Sequence, residues 1–494
     1  MINFNLWSNS VAIIALIIIA PIFSIFYYAI LGDTSLWPHL FSTVLPRYLT
    51  NTIILMFGVG GLSLVFSVTT AWIVTRYNFF GKKFFEWMLL LPAAVPAYII
   101  AYTYTDFFEY AGPLQSLLRD IFGWTSSKDY WFPNVRSMGG AILVMSSVLY
   151  PYVYLMTRAS FITTPISFFQ TSSIYGRNSF FNVAIPFGRP GIIAGLALVL
   201  METISDFGTV DYFAIETLTL GVFNVWLGMN SLSGASQISS ILFMIVIVLL
   251  TLEYLGRRSR KFHEKYSGAS YTPTQTVSGV KNFLLFLICL IPLSLGFIIP
   301  VSILLNFVIK GYSIINFFEI FQITLSSISL AFISSSFIML LSLLMIIVGA
   351  YKSNNFQKIL IFFASSGYAF PGTILAVGIV VFVGWLNDLI YFRMSYAVGG
   401  FIILLFAYSI RFLAVGNGAI TSGISRIHPN LLDASRTMGV SFFKSIRKII
   451  LPLLYTNLLV GGILVFVDIL KELPITLLLR PFNFETLATY VYQY

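Results

Sequence analysis

Four carboxylates lie within apolar segments of the sequence, in two pairs with the same spacing. Glu202 and Asp206 are four residues apart, as are Asp468 and Glu472. Residues four apart share one face of a helix, so each pair would present two acids side by side. A charge inside a membrane span is costly and usually faces a cavity or a partner. Carboxylate oxygens are hard ligands, so these residues predict a pathway for a hard metal cation.

A structural or gating role is the alternative for the same residues. Lys471 could neutralise Asp468 or Glu472 in an ion pair, and all four acids could reach interfacial water. The three histidines are far apart and the single cysteine, Cys289, lies in an apolar run, so neither type shows metal-ligand spacing. From the sequence we assign no catalytic residue and no resident metal site.

The elements that must hold these acids are membrane helices. With 58% hydrophobic and 9% charged residues, the chain is unlike a soluble protein, in which about 25% of residues are charged. Apolar stretches long enough to cross a bilayer as a helix recur along the chain. The composition predicts an all-α polytopic membrane protein. We predict eleven spans, at 11–31, 50–75, 85–105, 138–157, 189–209, 237–256, 282–309, 325–350, 358–385, 396–416 and 453–474.

The net charge of +10 reflects membrane orientation rather than nucleic-acid binding. Most Lys and Arg residues fall in the loops that are internal if the N-terminus is cytoplasmic, which is the positive-inside bias. The basic segment 257–261 is then a topology anchor beside anionic lipid. The N-terminal ten residues lack the cationic start of a cleavable signal peptide, so we predict a retained first helix in a cytoplasmic membrane.

Two parts of the sequence echo each other. Val95 to Ala101 resembles Phe370 to Ala376, and each carboxylate pair is followed by a Glu-Thr-Leu segment, at Glu216 and at Glu485. We predict two tandem, parallel six-helix repeats, with a pathway at their interface. The last helix of the second repeat is expected to be absent. The predicted domains are residues 1–265 and 282–494, joined by a polar linker at 266–281.

A polar, basic loop near the end of the chain carries a spaced motif, which we call loop 2 (433–452). It reads Asp-Ala-Ser, three residues, Gly, nine residues, then Ile-Ile-Leu-Pro. This spacing resembles the coupling loop of ABC importer permeases, with Asp for Glu and Ser for the second Ala. We predict a short helix, a turn at the glycine and a second short helix that ends at the proline. The matching residues are Asp433, Ala434, Ser435, Gly439, Ile449, Leu451 and Pro452.

An earlier segment, which we call loop 1 (170–186), matches the same pattern less well. Gln170 begins its counterpart of the Asp-Ala-Ser segment, Gly176 matches the turn glycine and Pro186 matches the proline. Gly176 lies ten residues before Pro186, whereas the corresponding interval in loop 2 is thirteen residues. Loop 1 is therefore about one helical turn shorter. We predict that both are coupling loops and that they hold their ATPases unequally.

Two stretches extend the resemblance to the fused ferric-iron ABC transporter permeases. They are 183–191 leading into 201–210, and 471–474 leading into 479–489. The resemblance implies a permease with two repeats that receives ferric iron from a periplasmic binding protein. Two copies of a separate ATPase, which bind ATP and magnesium, would drive alternating access through the two loops. The chain itself would be no enzyme and bind no cofactor, because it lacks a Gly-x4-Gly-Lys-Ser/Thr loop.

Two alternatives remain open at this point. One is a permease of the same fold for another solute, such as thiamine or a phosphonate. The other, of a different class, is a secondary transporter or channel that works without an ATPase. Recovery of an ATPase with the chain would separate the second alternative from the importer.

Overall fold

The computed structural model describes residues 6–258, 275–311, 316–351, 355–390, 396–425, 427–428 and 430–493. Most of this part of the chain is α-helical, with one short pair of strands. A helix satisfies its backbone N–H and C=O groups within the segment, as hydrocarbon surroundings require. The predicted class, an all-α polytopic membrane protein, is confirmed.

The regular elements follow one another as a series of long helices separated by short helices and turns. The α-helices are α1 (Leu6–Leu31), α2 (Trp37–Ser42), α3 (Leu45–Arg76), α4 (Lys82–Met88), α5 (Ala97–Phe108), α6 (Pro113–Phe122), α7 (Met138–Ile162), α8 (Ile166–Ile174), α9 (Ile185–Ser205), α10 (Gly208–Tyr212), α11 (Leu218–Phe223), α12 (Leu232–Arg258), α13 (Gly279–Leu293), α14 (Ile299–Gly311), α15 (Phe317–Tyr351), α16 (Asn355–Ala364), α17 (Gly372–Ile390), α18 (Tyr396–Ile424), α19 (Asn430–Thr437), α20 (Phe442–Ser445), α21 (Leu451–Leu470), α22 (Pro474–Leu479) and α23 (Leu487–Gln493). Turns of 3-10 helix are Leu91–Ala94 and Gly367–Ala369, and π-turns are Phe180–Ala184, Asn224–Gly228, Ser294–Ile298 and Ile446–Ile450. The strands β1 (Tyr77–Asn78) and β2 (Gln275–Thr276) pair in parallel.

Nine of the eleven predicted spans correspond to unbroken helical stretches. Within the described residues, nine stretches are long and apolar enough to cross a bilayer, or ten if one bent pair counts as a single span. The chain is therefore a multi-pass membrane protein. The nine are Asn9–Leu31, Leu45–Arg76, Met138–Ile162, Phe180–Ser205, Leu232–Glu253, Gly279–Gly311, Phe317–Tyr351, Gly400–Ile424 and Phe442–Leu470.

The predicted span at 85–105 is not one straight helix. A 3-10 turn ends at Ala94, and Val95 and Pro96 are both extended, with ψ of 125° and 139°. Proline has no N–H to donate and pushes the residue before it out of the helical region. Helical segments on the two sides of this break meet at 91°.

The predicted span at 358–385 breaks in the same way. A 3-10 turn ends at Ala369, Phe370 is extended with ψ of 135°, and α17 begins directly after Pro371. Both breaks fall on the segments whose sequences echo each other. The echo therefore marks a shared interruption of a helix rather than a shared straight span.

Contacts divide the chain into two compact units. The C-unit comprises Met1–Leu36, Val222–Ile241 and Asn316–Tyr494, and the N-unit comprises Trp37–Gly221 and Leu242–Ile315. The units differ from the predicted halves, because α1 lies in the C-unit and α13 and α14 lie in the N-unit. The domain boundaries and the parallel repeat thus stay predictions. Residues 259–274, which hold most of the predicted linker and part of the basic segment, lie outside the described residues.

One contact recurs in both units. In the N-unit, the N–H of Leu218 donates to Thr52 Oγ1 at 3.0 Å. In the C-unit, the N–H of Leu487 donates to Ser327 Oγ at 2.7 Å. Each leucine is the first residue of a short helix, where backbone N–H groups lack a helical partner. A hydroxyl on a long helix therefore fixes each Glu-Thr-Leu segment.

Aromatic rings pack α8, the first helix of loop 1, against α3. Trp72 on α3 lies 6.1 Å from Phe161, 6.0 Å from Phe169 and 5.4 Å from Phe180, measured between ring centroids. Phe169 belongs to α8 and is only 2% exposed. Aromatic pairs at such distances stabilise beyond their buried area, by about 0.5–1.5 kcal/mol each. This cluster anchors loop 1 to the membrane helices of the N-unit.

Candidate functional site

Loop 2 bends at the glycine that its sequence predicts. Helix α19 ends in a left-handed residue, Gly439, with φ of 75°. The N–H of Val440 donates to the carbonyl of Ser435 at 3.1 Å, and that of Met438 to the carbonyl of Ala434 at 3.2 Å. The six-residue closure is that of a Schellman helix end, in which glycine avoids the strain of the left-handed region.

The second part of loop 2 differs from its prediction, because its helix does not end at Pro452. The short helix α20 passes through the π-turn Ile446–Ile450 into the long helix α21. The N–H of Leu451 donates to the carbonyl of Ile446, five residues back. Pro452 therefore lies in the first turn of α21, directly after the π-turn, and does not end the helix.

Loop 1 makes the same bend with the same bond. Gly176 has φ of 63°, and the N–H of Arg177 donates to the carbonyl of Ser172 at 2.9 Å. The π-turn Phe180–Ala184 then leads into α9, whose first turn contains Pro186. Glycine turn, π-turn and proline thus follow in the same order in both loops.

The difference in length between the loops lies between the glycine and the π-turn. The π-turn begins four residues after Gly176 but seven residues after Gly439. The additional residues of loop 2 form α20, a single helical turn from Phe442 to Ser445. The helical turn that loop 1 lacks is therefore the counterpart of α20, between the glycine and the π-turn.

The motif residues of loop 2 divide into exposed and packed positions. Ala434 and Pro452 are exposed, whereas Ile449 and Leu451 are half-buried. Ser435 is buried, and its hydroxyl donates to Ser445 Oγ at 2.7 Å. In loop 1, Gln170 and Pro186 are exposed. The backbone of Asp433 lies in α19, but its side chain is outside the described residues.

Two functional candidates lie outside the positions that the sequence motif predicts. Tyr175 and Met438 each directly precede a turn glycine, and they are 75% and 82% exposed. An exposed apolar side chain at a rigid turn can enter a groove of a partner protein. The sequence carried a signal for them, since each is the last residue before the glycine of the motif.

The prediction that the carboxylate pair of the N-unit lies on one helix is wrong. Helix α9 contains Glu202 but ends at Ser205, and Asp206 is extended with ψ of 130°. Asp206 Oδ1 accepts hydrogen bonds from the N–H groups of Thr209 (2.9 Å) and Val210 (3.2 Å). Its Oδ2 accepts the Thr209 hydroxyl at 2.9 Å. Asp206 thus caps the start of α10.

The pair of the C-unit is divided in the same manner. Asp468 lies in α21 and pairs with Lys471 at 2.9 Å, as the structural alternative anticipated. Glu472 follows the end of the helix, where its Oε1 accepts the N–H of Ile475 at 3.1 Å. Glu472 thus caps the start of α22 and lies apart from the face that carries Asp468.

A buried arginine accompanies Glu472. Arg411 Nε lies 3.4 Å from Glu472 Oε2, and the two side chains are 7% and 5% exposed. Gly372 closes over this pair: a Cβ there would lie 2.7 Å from Arg411 Nη1 and 2.8 Å from Glu472 Oε1. Opposite charges that are buried together are mutually dependent, since either alone would be strongly unfavourable. This geometry favours a structural role for Glu472.

The predicted acids are thus brought together only in part. Each unit keeps its two acids near one helix end, and the second acid of each pair caps the next short helix. The pairs belong to different units, so a pathway lined by both stays a prediction. Among the residues that the structure describes, no cluster of three or more His, Cys, Asp or Glu side chains could hold a metal ion.

Relatives of known name match most of the chain. It is similar to the Fe(3+)-transport system permease protein FbpB 2 of Haemophilus influenzae, with 24% identity over 468 residues, or 92% of this chain and 85% of the relative. It is 22% identical over 463 residues to the ferric transport system permease protein FbpB of Actinobacillus pleuropneumoniae, or 85% of this chain and 63% of that protein. No family model matches the chain. The resemblance to ferric-iron permeases is confirmed.

A shorter relative fits on less than half of the chain. The molybdenum transport system permease protein ModB of Haemophilus influenzae is 28% identical over 211 residues, which are 40% of this chain and 88% of ModB. A nearly complete permease of that kind therefore corresponds to about half of this sequence. This agrees with a fused permease.

Proposed function

We propose that this chain is the membrane permease subunit of an ABC importer that moves ferric iron from a periplasmic binding protein into the cytoplasm. The observation that carries the proposal is the pair of matching loops. Each combines a left-handed glycine, a π-turn and a long helix with proline in its first turn. Relatives named for ferric iron transport cover 92% and 85% of the chain, which supports the choice of substrate.

Two copies of a separate ATPase would each receive one loop. The exposed side chains of Tyr175 and Met438 would enter grooves on the two ATPases, and motion of the ATPases would move the loops. ATP and magnesium would bind to these partners. The permease itself would bind no cofactor and catalyse no reaction, since its only Gly-Lys pair, Gly81-Lys82, is followed by lysine rather than Ser or Thr.

The orientation follows from charge. With the N-terminus in the cytoplasm, the basic loops 1 and 2 both face the cytoplasm of a cell with an inner membrane. The segment between α5 and α7 then faces the periplasm, on the side of the binding protein. Transport would proceed by ATP-driven alternating access between these two sides.

The carboxylates of the N-unit are the stronger candidates for contact with the cation. Glu472 and Asp468 already face Arg411 and Lys471. Asp206 instead accepts hydrogen bonds from neutral N–H and O–H groups, which leave its negative charge in place. Such a carboxylate, one turn beyond Glu202, retains attraction for a hard cation.

An oxyanion is the second candidate substrate. It is favoured by the relative named for molybdenum transport, whose identity of 28% exceeds that of the ferric relatives over a shorter region. The acids near the end of α9 argue against it, because Glu202 and Asp206 would repel an anion. The longer match to the ferric relatives and the negative charge of the acids therefore favour a cation as substrate.

Uptake in whole cells tests the proposal. Cells that carry this chain with its ATPase and binding protein should accumulate radiolabelled ferric iron, and omission of the ATPase should abolish uptake. Accumulation of molybdate instead would replace the substrate but keep the importer. Uptake that persists without the ATPase would favour the channel or secondary transporter and overturn the importer.

A further inference from the structure

A cleft of about 450 Å3, lined by both polar and apolar side chains, opens beside loop 1 in the N-unit. The proposed transport function does not use it. Its wall joins the end of α3, the end of α8, the residues just before the π-turn, and β2. The polar side chains that line it are Thr69, Arg76, Tyr77, Ser173, Asn178, Ser179 and Gln275.

The charge of this cleft is positive. Arg76 is half-buried, and its guanidinium carbon lies 5.1 Å from the centroid of the Phe169 ring. In the part of the chain that the structure describes, Arg76 forms no ion pair, and none of the lining side chains is a carboxylate. Lys281 lies 4.8 Å from the centroid of the neighbouring Tyr77 ring but does not itself line the cleft, so Arg76 is the cation of the lining. A guanidinium in such surroundings attracts an anion rich in hydrogen-bond acceptors.

Hydrogen-bond donors stand next to the arginine. Asn178 Oδ1 accepts the N–H of Phe180 at 2.9 Å, which leaves the amide Nδ2 to donate elsewhere. Ser179, Tyr77 and Gln275 add hydroxyl and amide donors along the wall. The Arg76 guanidinium and the neutral donors together match the oxygen atoms of a phosphate group.

The rest of the wall is apolar. Trp72, Ile73, Phe180 and Ile288 complete the lining. A ligand that satisfies both parts has an acceptor-rich anionic head and a hydrocarbon body. Trp72 belongs to a membrane-spanning helix, and Arg76 lies in the last turn of that helix, where lipid headgroups meet protein.

We propose that this cleft binds the phosphate of an anionic phospholipid. The binding of phosphate stands on the lining residues alone, whereas the assignment to the cytoplasmic leaflet rests on the proposed function through its orientation. A headgroup here bridges α3 to α8. It also fills the side of loop 1 next to residues 177–179, where loop 2 carries the additional helix α20. The lipid thus supports the shorter of the two loops.

Binding to the purified full-length chain tests this. After removal of native lipid in detergent, dioctanoyl phosphatidylglycerol is titrated and the midpoint of thermal unfolding is followed. We expect a saturable rise. Arg76→Gln should weaken the apparent affinity about tenfold, because a charge-assisted bond to phosphate is lost.

Two further variants separate a site from general charge attraction. Arg177→Gln removes one positive charge from loop 1 beside the cleft, but its side chain is exposed and does not line the cleft, so affinity should change by about twofold at most. Asn178→Asp keeps the size of the side chain and adds a negative charge, so it should weaken affinity at least as much as Arg76→Gln. Equal losses in Arg76→Gln and Arg177→Gln, wild-type affinity in Asn178→Asp, or the lack of saturation would overturn the proposal.

Inorganic phosphate distinguishes the source of the ligand. If it raises the midpoint to the same extent and with the same dependence on Arg76, the phosphate site stands and the lipid source is wrong. If phosphatidylglycerol saturates at far lower concentration, the lipid source is supported. These measurements need neither an ATPase nor transported iron, so their failure is distinguishable from failure of the proposed function.

Discussion

The two loops make the same bend but leave it along different paths. In loop 2, the Ser435 hydroxyl donates to Ser445 Oγ and thereby ties α19 to the additional turn α20. In loop 1, the corresponding Ser172 hydroxyl donates to the carbonyl of Arg177, and the π-turn begins soon afterwards. The bend is thus set by the helix end itself, whereas the distance from the bend to the long helix is free to vary. If two identical ATPases bind these loops, as proposed, this difference would make their contacts with the two loops unequal.

The capping acids show a second contrast. Asp206 and Glu472 both accept N–H groups at the start of a short helix, so both stabilise a break in the chain. Only Glu472 is also bound to a buried arginine. The same position therefore has a structural ion pair in the C-unit and a carboxylate held by neutral donors in the N-unit. Variants at these positions and in the loops test both contrasts.

The largest expected effect follows from removal of the buried arginine. Arg411→Met leaves Glu472 as a buried, uncompensated charge, which should lower the free energy of unfolding by about 3–5 kcal/mol. The matched change in the N-unit is Arg47→Met, which breaks an ion pair to Glu216 whose side chains are 67% and 35% exposed. That variant should lose about 1 kcal/mol or less. Chemical unfolding in detergent measures both.

The double variant of the buried pair provides the control. Arg411→Met with Glu472→Gln removes both charges but keeps an oxygen to accept the N–H of Ile475. It should recover most of the loss. If Arg411→Met were no less stable than Arg47→Met, the buried pair would not have the structural role assigned to it.

The next largest effect is expected from substitution of Gly439, the turn glycine of loop 2. A Cβ at Gly439 would meet nothing within 4 Å, so Gly439→Ala acts only through the left-handed backbone. That conformation costs alanine about 1–2 kcal/mol, which reduces the population of the bend about tenfold and iron uptake with it. Gly418→Ala, at an equally open position inside α18, should have little effect. Gly176→Ala should reduce uptake less than Gly439→Ala if loop 2 makes the stronger contact with its ATPase.

The membrane class and the turn glycines follow from the sequence, whereas the breaks in the helices escaped prediction. Span prediction averages hydropathy over many residues, so it passes across Pro96 and Pro371 although each proline locally signals an interruption. Pro474, two residues after Glu472, similarly signals that α21 has ended and α22 begins. The position of Pro474 could therefore have shown that Asp468 and Glu472 do not share one helix face.

Other features depend on contacts between residues that are distant in sequence. No spacing rule connects Arg411 with Glu472, because their approach is set by how α18 packs near the end of α21. The same is true of the bond from Leu487 to Ser327. Spacing rules could predict only the pair of Asp468 and Lys471, which is local.

The exposed tips of the loops should give a smaller effect. Tyr175→Ser and Met438→Ser remove apolar surface without touching the fold, so the stability of the chain should not change. Each should weaken ATPase binding about fivefold, as expected for the loss of about 1 kcal/mol of apolar contact. Quantitative co-purification of the ATPase measures this. Trp131→Ser, an equally exposed position outside both loops, is the control, and a loss of ATPase there would contradict the role of the tips.

At Asp206 we expect only a small change in stability. Asp206→Asn keeps Oδ1 for the N–H groups of Thr209 and Val210, and asparagine caps a helix about as well as aspartate, so stability should change by about 0.5 kcal/mol or less. Glu472→Gln is the same neutralisation in the C-unit. It leaves the buried Arg411 without its carboxylate partner, so this variant should be far less stable. If Asp206 attracts the cation, Asp206→Asn nevertheless lowers iron uptake several-fold. Wild-type uptake in this well-folded variant would leave Asp206 with its capping role alone, because only its charge has been removed.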